Sequence, residues 1–293
     1  GKESEEDFDR CREETIATIE RAKNDPHIPF CVFKVTGLAR FDLLEKVSVN
    51  GNLSAEEEKE FAKIRERVEK ICSIAHQHNK PIFLDAEESW IQKAIDDLAD
   101  AMMAKFNREK AIVYNTFQLY RKDRLDFLKT SFEKATHGNY ILGAKLVRGA
   151  YMEKERERAL KMHYPSPIQE TKNDTDRDYD KALLFCVEHI DKIAVCAGTH
   201  NENSSLVLVK ALDEKKIPHD HPHIFFSQLL GMSDHISFNL SSDKYNVAKY
   251  VPYGPVKEVL PYLIRRAQEN TSVKGQTGRE LSLIIKEKER RKK

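Results

Sequence analysis

Eight short β-rich runs recur along the chain, most of them separated by amphipathic helical stretches, and this alternation limits the fold more than any other feature. The runs cover residues 31–36, 81–85, 111–117, 141–147, 193–198, 223–229, 235–240 and 248–253. Strands that alternate with helices predict parallel neighbours, because a parallel pair needs a long crossover between its members. Eight such units over about 240 residues predict an α/β fold, a (β/α)8 barrel of the TIM type rather than a doubly wound sheet. The link 231–234 between the sixth and seventh runs leaves little room for a helix, so the expected barrel is irregular.

The same reading divides the chain into an N-terminal helical arm at 1–30, a barrel at 31–270 and a charged C-terminal helix or tail at 271–293. Residues 8–22 keep helical spacing outside the strand count and are ended by Asn24-Asp25-Pro26. Ser54-Ala55-Glu56-Glu57 is a capping box that predicts a helix to about residue 78, with Phe61, Ile64, Val68, Ile71 and Ala75 on its apolar face. The wholly charged stretch 286–293 reads as a solvated tail or as a membrane or partner contact.

Composition narrows the function classes. With 293 residues, 40% of them hydrophobic, the chain can bury one large core. Its formal charge is +1 although 33% of residues are ionic, so bulk electrostatics point to neither nucleic acid nor an anionic membrane, and the ligand is expected at local sites. The five cysteines, Cys11, Cys31, Cys72, Cys186 and Cys196, are widely spaced without a Cys-x-x-Cys. That argues against a disulfide framework or structural zinc and predicts small buried side chains in a reducing compartment. No apolar run approaches the roughly 20 residues of a membrane span. The acidic residues 1–8 do not read as a transit peptide, so any targeting segment is expected ahead of them. Neither Gly-x-Gly-x-x-Gly nor a phosphate-binding Gly-x-x-x-x-Gly-Lys-Ser/Thr occurs, and a dinucleotide would have to be held by the barrel itself.

In such a barrel chemistry gathers at the C-terminal ends of the strands. Lys34 in Phe33-Lys34-Val35-Thr36-Gly37 is expected inside an apolar strand, where an ammonium needs a partner, and Asp85 on the next strand is the natural one. Lys145 and Arg148 flank Leu146-Val147 and suit a phosphate or an electron-rich ring, unless one of them salt-bridges an outer helix. His200-Asn201 offers donors and acceptors for a cofactor amide or diphosphate, a satisfied core histidine being the commoner reading of His200 alone. His219-Asp220-His221-Pro222-His223 has the spacing of metal ligands, but it precedes a strand and is broken by proline, so a polar turn and no metal site is expected. Finally, Gly254-Pro255 opens a helix containing Tyr262-Leu263-Ile264-Arg265-Arg266-Ala267-Gln268-Glu269-Asn270. Arg265 and Glu269 fall one turn apart there, and two adjacent guanidiniums can hold one carboxylate.

Taken together, Phe33-Lys34-Val35-Thr36-Gly37, Leu84-Asp85-Ala86-Glu87-Glu88, Lys145-Leu146-Val147-Arg148-Gly149-Ala150-Tyr151, Thr199-His200-Asn201 and the Arg-Arg-x-x-Glu segment resemble the proline dehydrogenase family, in particular its eukaryotic mitochondrial members, over residues 31–270. The resemblance implies a distorted (β/α)8 barrel with FAD at the strand C-termini. It implies oxidation of L-proline to Δ1-pyrroline-5-carboxylate by hydride transfer from ring carbon C5 to flavin N5, with a quinone as electron acceptor. Arg265 and Arg266 would clamp the proline carboxylate with Glu269 orienting them, Lys34 and Asp85 would form the opposite wall, and Tyr151, Leu229 and Tyr250 would close over the ring. Asn115 and Lys145 would lie near the isoalloxazine beside Asp85, with Lys145 near N5. Val147, Arg148, Gly149 and Ala150 would line the strand-four side, and Thr199, His200 and Asn201 would face the ribityl and diphosphate. A mitochondrial location, on the matrix side of the inner membrane and with a peripheral membrane contact, is implied in the same way.

Two departures accompany the resemblance. Bacterial relatives carry arginine and lysine in place of Lys145 and Arg148 and glutamine in place of Asn115, and mitochondrial members usually carry a long insertion where only residues 38–53 intervene here. The alternatives are a hydroxyproline dehydrogenase, against which Tyr250 argues because relatives with that preference tend to place a small serine there, a non-catalytic barrel, and a barrel using Lys34 or Lys145 as a Schiff base.

Overall fold

The computed structural model describes residues 4–254 and, beyond them, residues 256, 257, 259, 260, 263, 264, 285 and 288–291. The chain divides into two units, one comprising Gly1–Ser227 with His235–Ala248 and the other Gln228–Asp234 with Lys249–Lys293. The described elements run α1 (Glu5–Ala22), β1 (Cys31–Phe33), α2 (Phe41–Ser48), α3 (Ala55–Gln77), β2 (Ile82–Leu84), α4 (Ser89–Phe106), β3 (Val113–Gln118) and α5 (Arg124–Gly138). They continue with β4 (Leu142–Val147), α6 (Met152–Met162), α7 (Lys172–Glu188), β5 (Ile193–Gly198), α8 (Glu202–Glu214), β6 (Ile224–Leu229), α9 (Asp234–Ser242) and β7 (Val247–Tyr250).

The strands form one seven-stranded sheet in the order β1 to β7. Pairing from β1 to β6 is parallel, with Phe33 opposite Leu84, Leu84 opposite Asn115, Thr116 opposite Lys145, Lys145 opposite Cys196 and Gly198 opposite Ser227. At the far edge the Phe226 N–H donates to the Asn246 carbonyl at 2.9 Å. Strands covered on both faces are expected to be nearly continuous in apolar residues, and β3, β4 and β5 are buried almost throughout.

Alternation along each strand sorts side chains onto two faces. Phe33, Leu84, Val113, Phe117, Ala144, Leu146, Val195, Ala197 and Phe226 join the large core against the helices. Phe83, Tyr114, Ala194 and Cys196 form a second cluster on the opposite face, ringed by Phe30, Val32 and Phe225. Phe30 is stacked on Phe83 at 4.4 Å and edge-on to Phe225 at 4.7 Å, contacts that each add about 0.5–1.5 kcal/mol beyond the area they bury.

The run 235–240, expected as the seventh strand, is helix α9 instead. Its apolar residues Ile236, Phe238 and Leu240 satisfy a two-residue period, but Ile236 and Leu240 are also one helical turn apart, and those two are buried while Phe238 is 70% exposed. Topology decides between the periods. β6 and β7 are neighbours, and α9 is the crossover between them. The described residues therefore hold seven strands where eight were expected, and the run 248–253 supplies β7.

The expected helix at 8–22 forms as α1, capped by Ser4, with Ile19 and Ala22 wholly buried in the helix-side core. Arg67 of α3 fastens it by donating to Glu5 at 2.7 Å and to Asp9 at 2.9 Å. The capping box of α3 is complete, Ser54 and Glu57 each accepting the other's backbone N–H. After β1 the short segment is folded rather than slack, because α2 buries Leu43 and Leu44 and packs along α4. Cys31, Cys72, Cys186 and Cys196 are buried. Among the described residues no helix is long and apolar enough to cross a membrane.

Candidate functional site

Side-chain parity decides which of the expected residues meet. Lys145 shares its face with the Phe83 and Cys196 cluster, its ammonium 5.1 Å from the Phe83 ring centre. It is 7% exposed and donates to Asp85 Oδ1 at 2.6 Å. Two residues beyond Asp85, and so of the same parity, Glu87 is 4% exposed. Thr36 holds its carboxylate through the backbone N–H at 3.1 Å and the hydroxyl at 2.7 Å. Gln92 accepts the Glu87 N–H at 2.8 Å, and Gln118 donates to its carbonyl at 2.7 Å.

Lys34 departs from expectation in two ways. It lies one residue past the end of β1, with its side chain 45% exposed, and its carboxylate partner is Glu87 at 3.7 Å. Its Nζ also donates to the Tyr151 hydroxyl at 2.7 Å. Asp85, the expected partner, acts on Lys34 through its charge while accepting from Lys145. Burial works against the charge of Lys34, but Glu87, Tyr151 and Asp85 outweigh it and hold the ammonium pKa above its ordinary value. Burial raises the Glu87 carboxyl against the pull of Lys34 and Thr36, and it raises the Tyr151 phenol against the pull of Lys34. Glu87 was not singled out from the sequence, although Asp85-Ala86-Glu87 places two acids at alternate positions after an apolar strand.

A second group stands on the helix side. Arg148 donates to Asp176 at 2.6 Å, to the Thr199 hydroxyl at 2.6 Å and to Ser204 at 2.9 Å, with its guanidinium 4.4 Å from the Tyr179 ring centre. This is the salt bridge to an outer helix, α7, that one member of the Lys145 and Arg148 pair was open to. Asn201 caps α8 by accepting from the Asn203 and Ser204 N–H groups, and half-buried His200 precedes it. Asn115 is also on this side: it is wholly buried, its amide donates to Asp96 at 2.9 Å, and its oxygen accepts the Thr116 N–H at 2.8 Å. It does not join Lys145. Asp96 is in turn gripped by Arg124 at 2.6 Å.

Val147 ends β4, and Gly149 and Ala150 lie exposed beyond it. Gly149 has φ +141, and a Cβ there would stand 2.5 Å from carbons of the Tyr120 ring, so glycine is required on both counts. Leu229 and Tyr250 belong to the second unit, where the Leu230 N–H donates to the Tyr250 carbonyl at 3.0 Å. Arg265, Arg266 and Glu269 lie outside the described residues. The histidine run is a turn: His219 binds the Asp243 carbonyl at 2.7 Å and stacks on Tyr245, and His223 binds the Ile190 carbonyl at 2.7 Å. Among the described residues no group of three or more metal-ligating side chains occurs.

A parallel sheet with helical crossovers, bearing paired ammonium and carboxylate groups at strand C-termini above an aromatic cluster, places the chain in the α/β class, in which sites open at those strand ends. Within that class, the proline dehydrogenase family model matches residues 1–279, and the chain belongs to the proline dehydrogenase family. It is 36% identical over 331 aligned positions to "Proline dehydrogenase 1, mitochondrial" of Dictyostelium discoideum, covering 98% of this chain and 58% of that protein. It is 41% identical over 233 positions to the Homo sapiens protein of the same name, covering 78% and 39%. A third relative, the carbapenem antibiotics biosynthesis protein CarD of Pectobacterium carotovorum, is 33% identical and covers 99% and 75%. The chain thus spans little more than half of the Dictyostelium relative and less than half of the human one. The Dictyostelium alignment is longer than the chain itself, so that relative carries residues this chain lacks. In fold the chain resembles the crystal structure of proline utilization A from Bdellovibrio bacteriovorus, with a TM-score of 0.80 at 20% identity over 92% of this chain and 29% of that one.

Proposed function

We propose that this chain oxidises L-proline to Δ1-pyrroline-5-carboxylate, with FAD as its resident cofactor and a quinone as electron acceptor. Family membership supports the reaction, and the observation that carries it is the joining of Lys34, Glu87 and Tyr151 beside Lys145 and Asp85 at adjoining strand ends.

The residues fit an FAD. Lys145 presents a nearly buried ammonium beside Asp85, which suits a ring that gains negative charge. The N-terminus of α8, with Thr199, His200 and Asn201 before it and Arg148 beneath, suits a diphosphate. Val147, Gly149 and Ala150 would line the stretch between. When bound, FAD supplies the two-electron acceptor that takes a hydride from ring carbon C5.

Lys145 stabilises negative charge from a fixed, poorly hydrated position. Lys34 remains protonated and orients the Tyr151 hydroxyl, which donates onward to a bound polar group. By the family resemblance, Tyr151, Leu229 and Tyr250 would each cover the ring and exclude water. Arg265 and Arg266, oriented by Glu269, take the carboxylate; these three roles rest on the sequence. A mitochondrial location accords with the names of the curated relatives, while the matrix side of the inner membrane and a peripheral contact to it rest on the family resemblance alone.

The purified protein is expected to absorb at roughly 450 nm and to bleach anaerobically on addition of L-proline, with less bleaching by hydroxyproline. Colourless protein that takes up no FAD, or a flavin spectrum that proline leaves unchanged, would overturn the reading.

A further inference from the structure

Helix α6 begins immediately after Tyr151, and its first turns are fastened to the start of α4. Glu155 is wholly buried. One of its oxygens accepts the Ser89 N–H at 2.6 Å, and the other accepts the Ser89 hydroxyl at 2.6 Å. Ser89 is the first residue of α4, whose N-cap Glu88 makes no capping bond of its own, and the first turn of α4 carries no acidic residue. Glu155 therefore caps α4 from another helix and sets a negative charge at the positive end of its dipole. Contacts on either side repeat the attachment. Lys154 pairs with Glu88 at 3.0 Å, and the Arg158 guanidinium lies 4.5 Å from the Trp90 ring centre.

What this attachment fixes is the distance between two loops. The loop after β2 carries Glu87, two residues before Ser89; the loop after β4 ends in Tyr151, four residues before Glu155. Lys34 is bound to both, at 3.7 Å to Glu87 and 2.7 Å to Tyr151. The contacts close into a ring from Lys34 to Glu87, along the chain to Ser89, across to Glu155, back to Tyr151 and again to Lys34.

We propose that Glu155 is a positioning residue of the substrate site: by clamping Ser89 it keeps Glu87 and Tyr151 at the spacing that aims Lys34. Its kinetic consequence rests on the proline-oxidation reading, whereas the clamp itself does not. A carboxylate is suited to the task because it accepts two hydrogen bonds from one residue, which an alanine cannot, and a glutamine nearly can if the Ser89 hydroxyl rotates to accept from the amide.

The test is a double-mutant cycle. Glu155→Ala is expected to raise the proline KM by roughly tenfold while flavin absorbance is retained, and Glu155→Gln to recover most of that loss. In a Tyr151→Phe background, where one partner of Lys34 is gone, the same Glu155→Ala step is expected to cost much less. Equal fold-changes in the two backgrounds would overturn the positioning role, as would an unchanged KM in Glu155→Ala. Should that variant not fold, Ser89→Ala, which removes the hydroxyl bond alone, takes its place in the cycle with the same criteria at smaller amplitude. If the wild-type protein does not respond to proline, the functional reading has failed, and amide hydrogen exchange tests the clamp. Faster exchange in Glu155→Ala, or in Ser89→Ala where that variant does not fold, at both 85–89 and 148–151 supports it, and exchange that is unchanged at both or faster at one segment alone overturns it.

Discussion

Lys145 and Asp85 stand 2.6 Å apart at the ends of β4 and β2, each less than one-seventh exposed, so the carboxylate that Lys34 is expected to claim is held by a different lysine. A buried ion pair adds little net stability over an apolar substitute, but breaking one is costly. Lys145→Met should therefore destabilise the protein by about 3 kcal/mol, the low end for such a loss, because the charge of Lys34 still acts near Asp85. Urea denaturation measures it, and the double variant Lys145→Met/Asp85→Leu should regain most of the loss. A single-variant loss below about 0.5 kcal/mol would contradict this account of the pair.

Asn115 behaves differently because it faces the helices. Asn115→Ala removes the donor that Asp96 receives and the acceptor of the Thr116 N–H. The expected cost is about 1–3 kcal/mol of stability, with the absorption maximum of bound flavin unmoved. A shifted maximum at unchanged stability would place Asn115 at the ring after all.

Gly149→Ala should lower Tm strongly, since φ +141 disfavours any side chain and the new Cβ would strike the Tyr120 ring. Trimming the ring in a Gly149→Ala/Tyr120→Ala double variant removes the collision and leaves the backbone strain, on the order of 1–3 kcal/mol. The double variant should consequently be more stable than the sum of the single losses, as thermal melts would register.

Asp176 gives a pH prediction. Burial works to raise its carboxyl, but Lys172 and Arg148 prevail and hold the pKa below its ordinary 3.8. A carboxylate depressed in the folded state contributes stability that is fully present above its unfolded pKa and is lost as pH falls through the lowered folded value. Asp176→Asn should flatten the fall in stability below about pH 4 and reduce stability at neutral pH. Parallel acid titrations of the two proteins, followed by circular dichroism, would show whether the slopes differ.

All seven described strands could be read from the sequence because their apolar runs are bounded by turn residues and helix caps. The capping box at Ser54 and the C-terminal ends of α1 and α3 were equally plain, whereas α1 begins at Glu5, three residues before the expected start. Residues 235–240 were not, since six residues can satisfy a two-residue and a 3.6-residue period at once, and only the need for a crossover between β6 and β7 separates them. In the site, residue types were legible and partners were not. Lys34, Asp85 and Lys145 all stood out as charges at strand ends, yet which lysine meets which acid depends on where each strand stops, and β1 stops one residue before Lys34. Parity alone would have moved Asn115, Arg148 and Thr199 to the helix side and brought Glu87 in.

The aromatic cluster beside Lys145 also sets the dielectric around its charge. Phe30 stacks on Phe83, and Tyr114 and Phe225 close around them. Those four rings give Lys145 a poorly polarisable neighbour on that side, so its charge is met by the Asp85 carboxylate rather than by solvent there.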